Sequence, residues 1–237
     1  MDVFGKDRLK QKEQVMEQYI VRLYRGLGTM LAGRLVNTKI TPNQITITGL
    51  IFVIVAGLFF VTGEYLNLII GSAILFFSLV LDFTDGTLAR MRNQASMFGD
   101  WLDAIIDEFR EVIVIASLCA GLYKTIPSVS VWILGLVALT TDRLIFRTTN
   151  KLYKLLPYRE DEINKQVQKT FANRAFLRIG KEFLSVRLLK YTVLPVFIIF
   201  KGLYVYLVFA AVYGVILCLA FLAFSVFRIK KEEGKSR

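Results

Sequence analysis

The chain has 237 residues, of which 55% are hydrophobic, and this content is too high for an ordinary soluble domain. Thirty Lys and Arg residues against 19 Asp and Glu residues leave a net charge of +11, and the sequence contains no histidine. A Ser-His-Asp triad, an imidazole general base and a histidine-ligated zinc or haem are therefore excluded within these residues.

The first predicted element is an amphipathic helix. Apolar residues recur at spacings of three and four over 14–36, and the charged residues fall mostly between them. This pattern predicts a helix that lies in the membrane surface, and a soluble helix packed on a cytoplasmic loop of the same protein is the alternative. We therefore divide the chain into an N-terminal cytoplasmic segment, residues 1–44, and a membrane domain, residues 45–237. The polar start of the chain gives no indication of a cleavable secretion signal.

Six membrane spans are predicted after this helix. Uncharged stretches mark four of them, and the third and fifth spans carry charged residues near one end. The expected fold class is an all-α integral membrane protein with six transmembrane helices and an amphipathic surface helix. The predicted spans are 45–62, 66–82, 100–123, 127–147, 184–200 and 203–227.

The orientation of the spans follows from the basic residues in their connections. Alternate connections hold eight, two, twelve and five Lys or Arg residues, whereas the others hold none, one and one. Because basic connections stay in the cytoplasm, both termini and the long loop are expected there. The basic stretch at about 148–185 is predicted to form a cytoplasmic helix or hairpin. Since the charges flank membrane spans, we expect them to attract anionic lipids and expect no nucleic acid as a partner.

A group of carboxylates is predicted where the second and third spans reach the cytoplasmic surface. Asp82 and Asp85 are three residues apart, and Asp103 and Asp107 lie four residues apart on one helix face. An acidic residue inside a membrane span is costly and marks a functional site by default. Four carboxylates that face one another would repel unless a cation lay between them. Hard divalent cations such as Mg²⁺ prefer these oxygen ligands.

Small residues and an arginine accompany the carboxylates. Gly86, Ala89 and Gly99 lack bulk, which allows a planar base or a pyrophosphate to approach the backbone. The guanidinium group of Arg90 is suited to phosphate. Together these residues indicate that a nucleotide diphosphate is cleaved at the membrane surface.

One run of residues resembles the signature of the CDP-alcohol phosphotransferase family at all eight of its fixed positions. It reads Asp82-x2-Asp85-Gly86-x2-Ala89-Arg90-x8-Gly99-x3-Asp103-x3-Asp107. The stretch Thr41-Pro42-Asn43-Gln44-Ile45-Thr46, the six predicted spans and the surface helix are also similar to the family. The resemblance covers most of the chain and is weakest over 148–185.

The resemblance implies a reaction and a set of roles. Family members transfer a substituted phosphoryl group from a CDP-linked donor, often CDP-diacylglycerol, to an alcohol and release CMP, and the expected role is phospholipid biosynthesis. One or two Mg²⁺ or Mn²⁺ ions would be bound by Asp82, Asp85, Asp103 and Asp107. The last of these is also the family's proposed catalytic base, but a carboxylate beside a cation is a weak base, so orientation of the acceptor hydroxyl is an open alternative. The nucleotide would be bound by Gly86, Ala89, Arg90, Gly99, Asn43 and Thr46.

The acceptor is expected to be a small polar alcohol. Arg143 and Arg147 lie on one helix face and predict an anion pocket, which favours glycerol 3-phosphate or inositol phosphate as acceptor. The alternative is that both side chains extend to lipid headgroups. Glu111 follows Asp107 by one turn and is a further candidate to contact the acceptor, with an internal ion pair as its alternative.

Other functions and assemblies are compared with this interpretation. The same fold could use a soluble donor such as CDP-inositol. Polyprenyl transferases use aspartate motifs of different spacing, and a divalent-cation transporter would place carboxylates near the midplane between repeated halves. The resemblance implies a homodimer, and Ala210-x3-Gly214 is a weak signal for close helix packing. The compact chain favours a prokaryotic plasma membrane, with the active site on the cytoplasmic side.

Overall fold

The computed structural model describes residues 18–155 and 190–233, and every secondary-structure element in these residues is an α-helix. The all-α fold class is therefore confirmed for this part of the chain. Most of the predicted cytoplasmic helix or hairpin at about 148–185, and the first residues of the fifth predicted span, lie outside the described residues. The helices are α1 Gln18–Leu35, α2 Pro42–Thr62, α3 Tyr65–Met91, α4 Met97–Thr125, α5 Val129–Leu155, α6 Lys190–Ile199 and α7 Leu203–Glu233.

Four of the described helices are long and apolar enough to span a membrane. They are α2, α3, the Val129–Thr148 part of α5 and the Leu203–Phe227 part of α7. These helices match the first, second, fourth and sixth predicted spans. The third predicted span corresponds to α4, whose first half carries six charged residues between positions 100 and 111. The described part of α6 is apolar but too short to span a bilayer by itself.

Local sequence explains where the helices of the domain begin and end. Thr41 and Gln44 form a capping box at the start of α2, because each side chain bonds the backbone N–H of the other residue, at 3.3 and 2.9 Å. Ser96 caps α4 by accepting the Gly99 N–H at 3.0 Å. The helix α2 ends at Gly63, whose φ of +73° favours glycine.

Three connections between helices gather at one end of the bundle. A Cβ atom at Gly63 would lie 2.5 Å from a backbone oxygen near the end of α4, so the α2–α3 connection packs directly on α4. The Tyr65 hydroxyl donates to the Ile199 carbonyl at 3.4 Å, and the Tyr204 hydroxyl lies 3.3 Å from the Ser130 hydroxyl. The α2–α3, α4–α5 and α6–α7 connections therefore lie together. The start of α2 and the α3–α4 connection consequently lie at the opposite end.

The helix α1 packs closely against α3 near this opposite end. Gly28 permits the approach, since a Cβ atom there would lie 2.7 Å from the Cβ atom of Phe83. The buried Tyr24 ring stacks on Phe83 with ring centroids 5.9 Å apart. Its hydroxyl lies 3.3 Å from the hydroxyl of Thr192 on α6. Part of the apolar face of α1 is thus packed against the membrane domain, whereas Leu23 and Met30 are exposed.

The small residues of α7 are used for packing within the chain. Ala210 is fully buried, and a Cβ atom at Gly214 would overlap the side chain of Thr141 on α5. Close packing of α7 on α5 therefore accounts for this pair of small residues, so the pair provides no support for a dimer. Cys119 and Cys218 are buried and free, as expected of small apolar residues in a core.

Candidate metal and nucleotide site

The predicted aspartates come together at the end of the bundle that holds the α3–α4 connection. Asp82, Asp103 and Asp107 each offer one carboxylate oxygen, and these three oxygens lie within 4.8 Å of one another. The two helices contribute in this way because spacings of three and four keep each pair on one helix face, and a short connection makes the helices antiparallel neighbours. Asp85 is buried one turn after Asp82 on α3. The structure thus brings three of the four predicted aspartates together, with Asp85 next to them on α3.

The carboxylates fit a divalent cation. The Oδ2 atom of Asp85 and the Oδ1 atom of Asp103 are buried and have no hydrogen-bond partner. An unpaired buried acceptor is costly, and a cation would relieve this cost. All of these potential metal-ligand atoms are carboxylate oxygens, which suit Mg²⁺ or Mn²⁺ better than softer metals.

An arginine that sequence reasoning did not include joins two of the aspartates. The Arg110 Nη2 atom lies 2.6 Å from Asp82 Oδ1, and its Nη1 atom donates to Asp107 Oδ1. The Arg110 residue is only 5% exposed. The spacing of three residues from Asp107 was the sequence signal for one of these contacts. The contact with Asp82 joins α4 to α3 and depends on how the helices pack.

The start of α2 borders the aspartates. The Oδ1 atom of Asn43 lies 3.4 Å from the position of a Cβ atom on Gly99, so these two residues are neighbours. Thr46 is buried one turn further along α2, with its side chain beside the carboxylate of Asp85. Asn43, Thr46 and Gly99 are thus placed around the carboxylate group by α2 and α4.

The last turns of α3 hold the other three residues expected at the nucleotide. The Gly86 N–H donates to the carboxylate of Asp85. The exposed Arg90 side chain folds back over this turn, because its Nη1 atom lies 3.5 Å from the position of a Cβ atom on Gly86. Its Nη2 atom donates to the Thr87 hydroxyl at 3.2 Å. Ala89 is half-buried between these residues in the sequence.

The residues expected at the acceptor have different surroundings. Arg143 on α5 lies 3.5 Å from Glu108 on α4 and is thereby held next to the aspartate helix. Arg147 is exposed one turn further along α5. Glu111 is buried on the side of α4 that faces the buried Tyr206 of α7. These placements bring Arg143 to α4, the helix that carries Asp103 and Asp107, and put Glu111 in the interior of the bundle.

Comparison with known proteins identifies the family. The sequence model of the CDP-alcohol phosphatidyltransferase family matches residues 39–165, which is more than half of the chain. A bifunctional IPC transferase and DIPP synthase of Aquifex aeolicus is 26% identical over 163 residues, covering 67% of this chain and 37% of that protein. An archaetidylinositol phosphate synthase of Pyrococcus horikoshii is 36% identical over 88 residues, covering 37% of this chain and 45% of that protein. The chain thus matches less than half the length of these two relatives.

Solved structures support the same fold. Phosphatidylinositol phosphate synthase of Mycobacterium tuberculosis with CDP-DAG bound has a TM-score of 0.61 and 21% identity, and the match covers 84% of this chain and 92% of that one. The same enzyme in complex with manganese and citrate has a TM-score of 0.59 at the same identity. With the apolar helices and the family match, these likenesses identify an integral membrane protein. The chain therefore belongs to the CDP-alcohol phosphatidyltransferase family.

Proposed function

We propose that this chain is a divalent-metal-dependent phosphotransferase of the membrane. It moves a phosphatidyl group from a CDP-linked lipid, CDP-diacylglycerol, to a small polar alcohol and releases CMP in phospholipid biosynthesis. The observation that carries this proposal is the convergence of Asp82, Asp103 and Asp107 within 4.8 Å. Further support comes from the structures of the similar mycobacterial enzyme, one with CDP-DAG bound and one with manganese and citrate.

The chemistry follows from the residues around this cluster. One or two bound Mg²⁺ or Mn²⁺ ions would neutralise the negative charge of the pyrophosphate and of the departing CMP. The four aspartates of the motif would hold the metal, and Asp107 would contact the acceptor hydroxyl. The acceptor oxygen forms a bond to the lipid-linked phosphorus, and the bond from this phosphorus to the CMP oxygen breaks. The proton of the acceptor hydroxyl passes to Asp107 if that residue is the base, or to water if Asp107 only orients the hydroxyl. The nucleotide would lie against Gly86, Ala89, Arg90, Gly99, Asn43 and Thr46.

The favoured acceptor is a phosphorylated alcohol. Arg143 is held beside the aspartate helix by Glu108, and Arg147 follows it on α5. We assign both side chains, with Glu111, to the acceptor side of the site. The names of the archaeal relative and of the mycobacterial enzyme point to inositol phosphate, and glycerol 3-phosphate is the second candidate. Both carry the anion that two arginines would bind.

The proposed arrangement in the membrane has six spans. It includes α4 as the third span, and α6 as part of the fifth. We place α1 on the membrane surface, both termini and the site in the cytoplasm, and the protein in a prokaryotic plasma membrane. The division into residues 1–44 and 45–237, and the homodimer, are parts of the same proposal.

CMP release from CDP-diacylglycerol by the purified protein tests the proposed function. Inositol phosphate, glycerol 3-phosphate, inositol and serine are offered separately with Mn²⁺ or Mg²⁺, and EDTA serves as the metal-free control. We expect release with a phosphorylated acceptor and a loss of at least about 100-fold in Asp107→Asn. In Arg143→Ala the Michaelis constant for that acceptor should rise while the constant for the donor stays the same.

Other outcomes separate the alternative functions. Turnover of CDP-inositol, with none of CDP-diacylglycerol, would replace the lipid donor by a soluble one. Metal flux through proteoliposomes, without binding of cytidine nucleotides, would identify a transporter and overturn the proposal.

A further inference from the structure

The buried Arg110 is a cation that compensates part of the negative charge of the aspartate cluster. It lies on α4 one turn after Asp107 and reaches across to Asp82 on α3 at 2.6 Å. Its residue is only 5% exposed, so its charge is held in the interior beside these carboxylates. A buried guanidinium is stable only where carboxylates compensate its desolvation. The arginine and the two aspartates therefore form one electrostatic unit that joins the two motif helices.

The same carboxylates are those that could hold a metal. Asp82 and Asp107 both belong to the group of three oxygens within 4.8 Å, and the third member is Asp103. Arg110 engages the Oδ1 atoms of two of these three residues. A cation bound among the three carboxylates would share their charge with the guanidinium and would be repelled by it.

We propose that Arg110 is an internal counter-cation that opposes the binding of a divalent cation to the aspartate cluster. Without metal, its two bridges hold α3 and α4 together against the repulsion of the carboxylates. The positive charge of Arg110 repels a metal that binds to Asp82, Asp103 and Asp107. The site therefore has a lower affinity for a free ion than it would have without the arginine. The negative charge of a pyrophosphate would offset this repulsion, and metal binding is thereby favoured when the nucleotide is present. This inference rests on the proposed metal site.

Titration of the full-length protein with Mn²⁺ in detergent, without nucleotide, tests the inference. Electron paramagnetic resonance measures free Mn²⁺ and therefore gives the dissociation constant without any turnover. Repulsion between charges on shared carboxylates is strong at protein dielectric values, so Arg110→Gln should bind Mn²⁺ at least about tenfold more tightly. The matched control, Arg25→Gln, removes an exposed charge from α1 and should change the constant by less than about twofold.

The outcomes distinguish this inference from the metal site itself. Equal or weaker Mn²⁺ binding by Arg110→Gln would overturn the role of the arginine. If that variant does not fold without metal, Arg110→Met provides the same reading, because methionine also removes the charge and fills the buried position with an apolar side chain. Tighter binding is expected in this variant too, and unchanged or weaker binding contradicts the inference. If Arg110→Gln binds Mn²⁺ no better than the double variant Arg110→Gln with Asp103→Asn does, the proposed metal site fails, and the inference fails with it.

Discussion

Asp142 and Lys190 form a second buried ion pair, on the α5 and α6 side of the bundle. The Nζ atom of Lys190 donates to Asp142 Oδ2, and the two residues are 4% and 0% exposed. The other carboxylate oxygen, Oδ1, is buried without a hydrogen-bond partner. Both charged groups are therefore shielded from bulk solvent. The pair joins α6, which follows the undescribed residues 156–189, to α5, which precedes them.

Removing one member of this pair is expected to destabilise the protein strongly. Lys190→Met would leave the carboxylate of Asp142 buried and unpaired, which costs about 3–5 kcal/mol in proteins. The double variant Asp142→Leu with Lys190→Met should recover most of the loss, because it leaves no isolated charge. Thermal unfolding in detergent measures both variants. If the double variant is as unstable as Lys190→Met, this account is contradicted. The loss of stability would then come from altered side-chain packing and not from the unpaired charge.

Single residues also show what the sequence could and could not predict. The aspartates of the motif were predicted to cluster, because spacings of three and four on adjacent helices leave few other arrangements. The partner of Arg110 on α3 is 28 residues away in the chain, and the partner of Lys190 is 48 residues away. Such pairs depend on the rotation and depth of packed helices. Periodicity alone determines neither of these quantities, so the pairs could not be foreseen.

At the scale of the helices, Arg92 ties the α1–α2 connection to the end of α3. Its Nε atom donates to the Val36 carbonyl at 3.0 Å, and its Nη2 atom donates to the Thr38 carbonyl at 2.8 Å. The carbonyls of Leu35 and Ile40 accept from the same guanidinium. These carbonyls belong to Leu35, the last residue of α1, and to the connection after it, where backbone acceptors lack helical partners. Arg92 thus fixes the segment that leads into α2.

Replacing Arg92 should weaken both the fold and the nucleotide side of the site. Arg92→Lys keeps the charge but cannot reach four carbonyls at once, so we expect a loss of about 1–3 kcal/mol in unfolding free energy. Because the clamped segment positions Asn43 and Thr46, the Michaelis constant for the CDP donor should rise more than that for the acceptor. Arg25→Lys on the exposed face of α1 is the control. Equal changes in both constants would indicate a general loss of folding instead.

The positions of the four apolar spans were predictable, but α3 and α5 continue past their predicted ends at 82 and 147, to Met91 and Leu155. The runs without charge gave the four apolar spans, because a bilayer requires about 20 apolar residues in a row. Thr41 and Gly63 mark the two ends of α2 by ordinary capping rules. The clamp at Arg92 was not foreseen, since a basic residue at the end of a span is explained equally well by the positive-inside rule. Only the folded α1–α2 connection shows that the guanidinium group of Arg92 donates hydrogen bonds to backbone carbonyls.

At the scale of the whole molecule, the bundle has two chemically different ends. One end holds the aspartates, the Arg92 clamp and the start of α2. The other end holds the connections near Gly63, Ile126 and Gly202, which contain few basic residues. This separation agrees with the alternating count of Lys and Arg in the sequence. From the positive-inside rule we propose that the aspartate end faces the cytoplasm, where CMP and a polar acceptor are soluble.

Labelling of single cysteines in intact cells tests this orientation. In a background whose two buried cysteines are replaced by alanine, we introduce Glu64→Cys and Lys124→Cys at one end, and Thr38→Cys and Gln94→Cys at the other. All four positions are exposed on connections or helix ends. A maleimide that cannot cross the membrane should label the first two in intact cells, and the last two only after the cells are opened. The reverse pattern would place the aspartates outside the cell, where the cytoplasmic supply of CDP-linked donors would not reach them. Labelling at both ends in intact cells would instead contradict the proposed spanning arrangement, because helices that cross the bilayer keep their two ends on opposite sides of it.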